Sequence, residues 1–121
     1  MKNPHTELKN AALIALSSTE LGRFWPCETG VAIAAHWNGA IWAPEIPTRV
    51  IKYGLVGGSD IMGILKGGFF FAGEVKTGKA VLNQGQRNFK AMILKYGGCH
   101  IEIRSIEQAL NELMEYFKCK K

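Results

Sequence analysis

Glycine is concentrated in one part of the chain. Eight of the fourteen glycines lie between Gly54 and Gly78. Because glycine weakens a helix interior and supplies the positive backbone angles of tight turns, this stretch is predicted to form short strands joined by turns. Three apolar runs, residues 50–53, 60–65 and 69–76, are the predicted strands.

Three other stretches repeat apolar residues every three or four positions, which is typical of helices. Each begins with a residue whose side chain caps a helix well: Asn3, Asn83 and Ser105. Glycine at position 22 and the Gly97-Gly98 pair are predicted to close the first and second helices. The chain is therefore predicted to contain three helices.

Further strands are predicted at residues 23–27, 31–35 and 99–104. The main elements then follow the order α-β-β-β-α-β-α. A chain of 121 residues has the usual length of one domain. We therefore expect residues 1–121 to form a single α/β domain in which helices pack on a mixed β-sheet.

Residues 36–48 interrupt this order. Asn38-Gly39 favours a tight turn, and two nearby prolines exclude a continuous central strand. We predict that this segment leaves the core. Trp37 and Trp42 flank the turn, and two interpretations of them stay open: packing over a sheet edge, and a contact surface such as a dimer interface.

Charge and cysteine content limit the classes of partner and compartment. Fifteen Lys and Arg against ten Asp and Glu give a formal net charge of +5, which favours a polyanionic partner such as nucleic acid. The three cysteines have no CxxC spacing and indicate reduced thiols in a cytoplasmic protein. No apolar stretch approaches the roughly 18 residues of a membrane span, so we expect no membrane partner.

Charged residues stand inside two of the apolar runs. Because side chains alternate along a strand, Glu74 and Lys76 share one face and Val75 takes the other. The loop of the hairpin decides whether Asp60 joins them. A two-residue loop would set Asp60 opposite Val75, whereas a three-residue loop at residues 66–68 sets it opposite Glu74. We predict the three-residue loop, with glycine in the left-handed position.

Two carboxylates opposed across a strand pair repel each other unless a cation lies between them. Oxygen ligands without imidazole or thiolate select Mg²⁺ or Mn²⁺, and such an ion activates water for attack on a phosphodiester. Lys76 is placed to orient that water and neutralise developing charge. The alternative is structural: Asp60 caps a turn after Ser59, while Glu74 and Lys76 form a solvated pair on an edge strand. The charges alone leave both interpretations open.

Two other chemistries find less support. The segment from Gly73 to Ala80 nearly matches the phosphate-binding pattern GxxxxGK[ST], but Ala80 lacks the hydroxyl that would bind Mg²⁺. We therefore expect no nucleotide cofactor. His5, His36 and His100 lack the spacing to cysteines that is typical of zinc sites.

Four segments share the spacing of a known family: Gly54-Leu-Val-Gly-Gly-Ser-Asp60-Ile-Met-Gly-Ile-Leu65, Gly73-Glu-Val-Lys-Thr-Gly78, Gln86-Arg-Asn-Phe89, and Gly97-Gly98 before Ile103-Arg104-Ser105. Together they resemble the VRR-NUC family of the PD-(D/E)XK nuclease superfamily. The resemblance covers the chain from the Glu7 helix to Ser105 and implies a restriction-endonuclease-like core. One departure is Pro26-Cys27, where related sequences carry Arg-Asn.

The resemblance implies a role for each residue of the Asp60 and Glu74 segments. Asp60 and Glu74 would be ligands of Mg²⁺ or Mn²⁺, and the carbonyl of Val75 would be a further ligand. Lys76 would be the catalytic lysine.

Further residues are assigned around this centre. Glu7 matches the family's acidic residue near the metal on the first helix, although an acid at a helix N-terminus is also stabilised by the helix dipole. Gln86 is assigned to the catalytic site, where it would contact the site or the DNA backbone. Ser59, Lys79 and Arg87 are the expected DNA-binding residues.

The resemblance also implies a function. Stand-alone members, many of them phage-encoded, resemble dimeric enzymes that cleave Holliday junctions, so we expect a homodimeric endonuclease acting on branched DNA in the cytoplasm of a bacterial cell. The competing class is a basic nucleic-acid-binding module without catalysis. RNA is not separated from DNA by the sequence, because metal-assisted hydrolysis ignores the sugar unless the 2′-hydroxyl is read.

Overall fold

The computed structural model describes residues 3–27, 30–53 and 58–120. Within these residues the chain forms, in order, α1 (Pro4–Ser18), β1 (Gly22–Pro26), β2 (Gly30–Ile33), β3 (Ala35–Trp37), β4 (Trp42–Pro44), β5 (Val50–Tyr53), β6 (Ile61–Leu65), β7 (Phe70–Val75), α2 (Gln84–Lys95), β8 (Cys99–Ile103) and α3 (Ile106–Lys118). Asn3, Asn83 and Ser105 cap the three helices as predicted. The connection between the strands predicted at 23–27 and 31–35 lies mostly outside the described residues.

A mixed four-stranded sheet, the main sheet, has the strand order β1-β6-β7-β8. β6 pairs antiparallel with β1 and β7, whereas β7 pairs parallel with β8. A parallel pair needs a crossover connection, and α2 lies in that connection. The α/β prediction is confirmed: the main sheet and its three helices follow the predicted order and are compatible with a restriction-endonuclease-like fold.

Helices cover both faces of the main sheet. On one face, Phe71 of β7 belongs to a buried cluster with Leu16 of α1 and Leu113 of α3. On the other face, Ala72 packs against Phe89 and other residues of α2. Because β7 alternates, Glu74 points to the same face as Ala72 and lies beneath α2.

The strands β2 to β5 lie outside the main sheet. β2 pairs with β5, and β3 pairs with β4, as two separate two-stranded ribbons. We call them the inserted ribbons. The predicted excursion at residues 36–48 is confirmed, but it is larger than expected, because residues 30–33 and 50–53 pair with each other and so leave the main sheet too. None of the helices among the described residues has the length and hydropathy of a membrane span.

The hairpin of β6 and β7 has the predicted register. Ile61 pairs with Gly73, and the backbone N–H of Leu65 donates to Phe69 at 2.8 Å. The loop therefore comprises the three residues 66–68, and its two glycines have φ angles of 91° and 85°, which other residues rarely adopt. This register sets which side chains meet at the open end of the hairpin.

Candidate active site

Asp60 directly precedes β6 at the open end of the hairpin. If the register of β6 and β7 is extended by one residue beyond Ile61 and Gly73, Asp60 lies opposite Glu74. Its Oδ2 accepts a hydrogen bond from the backbone N–H of Val75 at 2.9 Å, and its carbonyl accepts one from the N–H of Cys27 at 2.7 Å. Asp60 is thus fixed to the strands on both sides of β6.

Glu74 is an acid in the interior of the sheet, with only 4% of its surface exposed. Its Oε1 accepts a hydrogen bond from Gln86, while its Oε2 is buried without a hydrogen-bond partner among the described residues. Burial first, and then the charge of Asp60, raise the pKa of Glu74 from 4.5 to about 8, against the lowering effect of Lys76. At neutral pH the metal-free Glu74 therefore holds a proton.

These observations exclude the structural alternative for Glu74. An acid on an interior strand with a buried, unpartnered oxygen is not a solvated member of an edge ladder. An orphaned carboxylate oxygen beside a second carboxylate fits a hard divalent cation, which would take the place of the proton. Asp60 and Glu74 are the two side chains that would hold it.

Lys76 follows β7 on the same side as Glu74. Its charge opposes the effect of burial on the pKa of Glu74. The backbone N–H of Lys76 donates to the carbonyl of Ile103 at 3.0 Å, which fixes the end of the strand. For Val75 the structure shows the N–H bound to Asp60, and the role of its carbonyl as a ligand stays a prediction.

Gln86 joins the start of α2 to the buried acid. Its Oε1 accepts from the backbone N–H of Asn83 at 3.0 Å and completes a capping box, while its Nε2 donates to Glu74 Oε1 at 2.9 Å. Because the oxygen and the nitrogen of the Gln86 amide are both hydrogen-bonded, the side chain is held in place and orients Glu74. The role of Gln86 in catalysis stays a prediction.

His5 is a site residue that the sequence reasoning missed. It lies in the first turn of α1, and its Nε2 is 3.4 Å from Asp60 Oδ2. The spacing of His5 to the cysteines argues against a zinc site. That spacing does not indicate whether His5 lies near a carboxylate. The sequence feature that could have pointed to His5 is its position in the same helical turn as Glu7.

Glu7 lies on another side of α1. At about 100° per residue it is turned roughly 160° away from His5 around the helix, and it lines a groove together with Asn3, Thr6 and Asn10. Across residues 3–27, 30–53 and 58–120, no three His, Cys, Asp or Glu side chains gather into a metal-holding group. The structure therefore does not bring Glu7 together with Asp60 and Glu74, and its role as a ligand stays a prediction.

A third acid, Glu102 of β8, is the partner of Glu74 in the parallel register and was also missed. It forms ion pairs with Lys90 at 3.2 Å and Arg104 at 3.5 Å. Burial would raise the pKa of Glu102, but the hydrogen bond and charge of Lys90 and the charge of Arg104 lower it below its usual value. Glu102 is therefore an ionised acid that already has cationic partners.

The three expected DNA-binding residues have different surroundings. Lys79 is exposed in the turn after β7. The guanidinium of Arg87 is exposed but donates to the carbonyl of Leu82 at 2.7 Å and to Gln84 at 2.8 Å. Ser59 is only 4% exposed and its hydroxyl is buried, so this conformation does not present it to DNA.

Comparison with protein-family models and with curated proteins gave no match. The function must therefore be inferred from the geometry of four residues: Asp60, Glu74, Lys76 and Gln86.

Proposed function

We propose that this protein is an endonuclease that uses Mg²⁺ or Mn²⁺ to hydrolyse phosphodiester bonds in DNA. The observation that carries the proposal is the pair Asp60 and Glu74: two carboxyl groups at one end of a hairpin, one of them buried with an unpartnered oxygen. Two such acids side by side lower the stability of the metal-free fold above neutral pH, and a bound cation removes that cost. The resemblance to VRR-NUC nucleases supports the same function.

The residues of the site have separable roles in this reaction. When bound, a divalent ion would polarise the phosphodiester and lower the pKa of a water molecule. Asp60 is fixed by the Val75 N–H and would be one ligand of the ion. Glu74 would be the other ligand once its proton has passed to solvent, and Gln86 holds its Oε1 in place. Lys76 follows Glu74 by two residues at the end of β7, and its ammonium group would neutralise charge on the phosphate in the transition state.

The substrate and assembly are further parts of the proposal. The net charge of +5 favours a polyanion. The resemblance favours branched DNA such as a Holliday junction, a homodimer with two active sites related by a dyad, and action in the cytoplasm of a bacterial host.

A cleavage assay tests the proposal. Labelled four-way junction, flap and linear duplex are each incubated with the protein in Mg²⁺, Mn²⁺ or EDTA. We expect cleavage with either metal and none in EDTA, with a rate about 100-fold lower in Asp60→Ala and in Lys76→Ala. The matched control is Lys66→Ala, which removes a lysine from the opposite end of the same hairpin and should cleave as the wild type does.

Two results would count against the proposal. Cleavage at the wild-type rate by the double variant Asp60→Ala/Lys76→Ala would remove this site from the reaction. Tight binding to junction DNA without cleavage under either metal would instead favour the non-catalytic binding module. Circular dichroism of each variant establishes that the fold is kept.

A further inference from the structure

We propose that His5 supplies an imidazole nitrogen to the divalent ion of Asp60 and Glu74 and thereby gives the site a preference for Mn²⁺ over Mg²⁺. This inference rests on the metal site of the proposed function and adds a ligand from a different element, α1. It also predicts which of the two metals the site selects.

The first turn of α1 holds His5 at the open side of the acid pair. The backbone N–H of His5 donates to the side chain of Asn3 at 2.9 Å, which fixes the start of the helix. The side chain of His5 is 40% exposed and that of Asp60 is 23% exposed. A hydrated ion can therefore reach this pair from solvent, whereas the far side of Glu74 is closed by the sheet.

The separation of the two donor atoms supports shared coordination. His5 Nε2 lies 3.4 Å from Asp60 Oδ2, which is longer than the ordinary N–H···O hydrogen bond. Oδ2 already accepts the N–H of Val75 at 2.9 Å. Two ligand atoms at right angles, each about 2.1 Å from one ion, lie about 3 Å apart. The observed 3.4 Å lies above both distances, so the ring is close enough to Asp60 to share an ion with it without being closed into a short hydrogen bond.

Asp60 stands between the other two donors. Its Oδ2 lies 3.4 Å from His5 Nε2, and the strand register sets it opposite Glu74, whose pKa its charge raises. Since no three such side chains converge within the described residues, joint coordination requires His5 to turn toward Glu74. The exposure of its ring leaves room for that rotation.

The donor set determines the expected metal preference. Mg²⁺ favours oxygen ligands and retains water, whereas imidazole nitrogen is a better ligand for transition metals. One nitrogen added to two carboxylates therefore favours Mn²⁺ without excluding Mg²⁺.

Binding and magnetic resonance test the proposal without reference to cleavage. Mn²⁺ and Mg²⁺ are titrated separately into the metal-free protein by calorimetry, and the Mn²⁺ complex is examined by electron spin echo envelope modulation for coupling to nitrogen. We expect a directly coordinated nitrogen in the wild type. His5→Gln, which offers an amide oxygen at similar reach, should lose that coupling and lower the ratio of Mn²⁺ to Mg²⁺ affinity about tenfold. The matched control His36→Gln, an exposed histidine of the inserted ribbons, should change neither.

The outcomes separate this inference from the proposed function. Nitrogen coupling that persists in His5→Gln would overturn it, and so would an equal loss of affinity for both metals, since that result gives His5 only a positioning role. Asp60→Ala should weaken the binding of both ions strongly. If Asp60→Ala binds Mn²⁺ as the wild type does, the metal site itself is wrong, whatever His5 does.

Discussion

The main sheet and the inserted ribbons are built from similarly apolar strands but use them in opposite ways. In the main sheet, Ile61 and Phe71 are fully buried because helices cover both faces. In the ribbons, Trp37 and Trp42 are 55% and 69% exposed, and their rings meet edge to face at 5.8 Å. The difference is the layer of helices, which within the described residues packs on the main sheet alone. Burial can shift the pKa of an acid in the main sheet, whereas the ribbons offer a surface for contact.

The largest expected difference is in stability. Phe71 is fully buried against Phe24, with ring centroids 5.0 Å apart. Phe71→Ala should lower the free energy of unfolding by about 3–5 kcal/mol, since it opens a cavity between sheet and helices. Trp42→Ala should lower it by less than about 1 kcal/mol. Urea unfolding followed by circular dichroism measures both values, and equal losses would show that the ribbons share the core of the main sheet.

The next largest effect is a pH dependence located in the main sheet. In metal-free protein, burial and then Asp60 raise the pKa of Glu74 to about 8, while the unfolded value is 4.5. The folded state binds the proton more tightly, so this stabilisation is complete below pH 4.5 and is lost as the pH rises through 8. At about 1.4 kcal/mol per pKa unit, the loss amounts to a few kcal/mol.

Glu74→Gln should remove this pH dependence. Urea unfolding in EDTA at pH 5, 7 and 9 measures the free energy of unfolding of the variant and of the wild type. As the pH rises, the variant should become more stable relative to the wild type. Glu45→Gln is the control in the ribbons, where the carboxylate is 39% exposed and lies 3.4 Å from Arg49. A pH-independent difference for Glu74→Gln would contradict the burial of a protonated acid.

Sequence reasoning succeeded where local chemistry determines structure. The glycines at positions 67 and 68 fixed the loop length, and the loop length fixed the register that brings Asp60 opposite Glu74. The helix caps are equally local. The contacts of His5 and Glu102 were not predicted, because they depend on the packing of α1 and on the parallel register of β8. No turn in the sequence specifies either of these.

In the inserted ribbons, too, the local turn was predicted from the sequence and the long-range strand pairing was not. The tight turn at Asn38 was predicted from two residues, and its side chain accepts from the N–H groups of Ala40 and Ile41, each at 2.9 Å. The pairing of β2 with β5 is a long-range choice between possible sheets, and alternating apolar residues do not distinguish those sheets.

A smaller effect separates the two roles of Gln86. Gln86 and Gln108 both complete capping boxes, but Gln86 also donates to the Glu74 side chain, whereas Gln108 donates to the backbone carbonyl of Glu102. Each change to Ala should cost about 1–2 kcal/mol of stability. Only Gln86→Ala should also weaken Mn²⁺ binding and cleavage. Calorimetry and the junction assay measure this, and equal effects of both changes on metal binding would deny Gln86 a role at the site.

The smallest effect on the fold is expected at the ribbon tip. Trp42→Asp places a charge on a side chain that is already 69% exposed, so it should leave the monomer folded. If the ribbons form the dimer interface, the buried charge would dissociate the dimer, and the sedimentation coefficient would fall to that of a monomer. Val81→Asp, at an apolar residue 73% exposed outside the ribbons, is the control. An unchanged sedimentation coefficient for Trp42→Asp would assign the exposed tryptophans to something other than self-association.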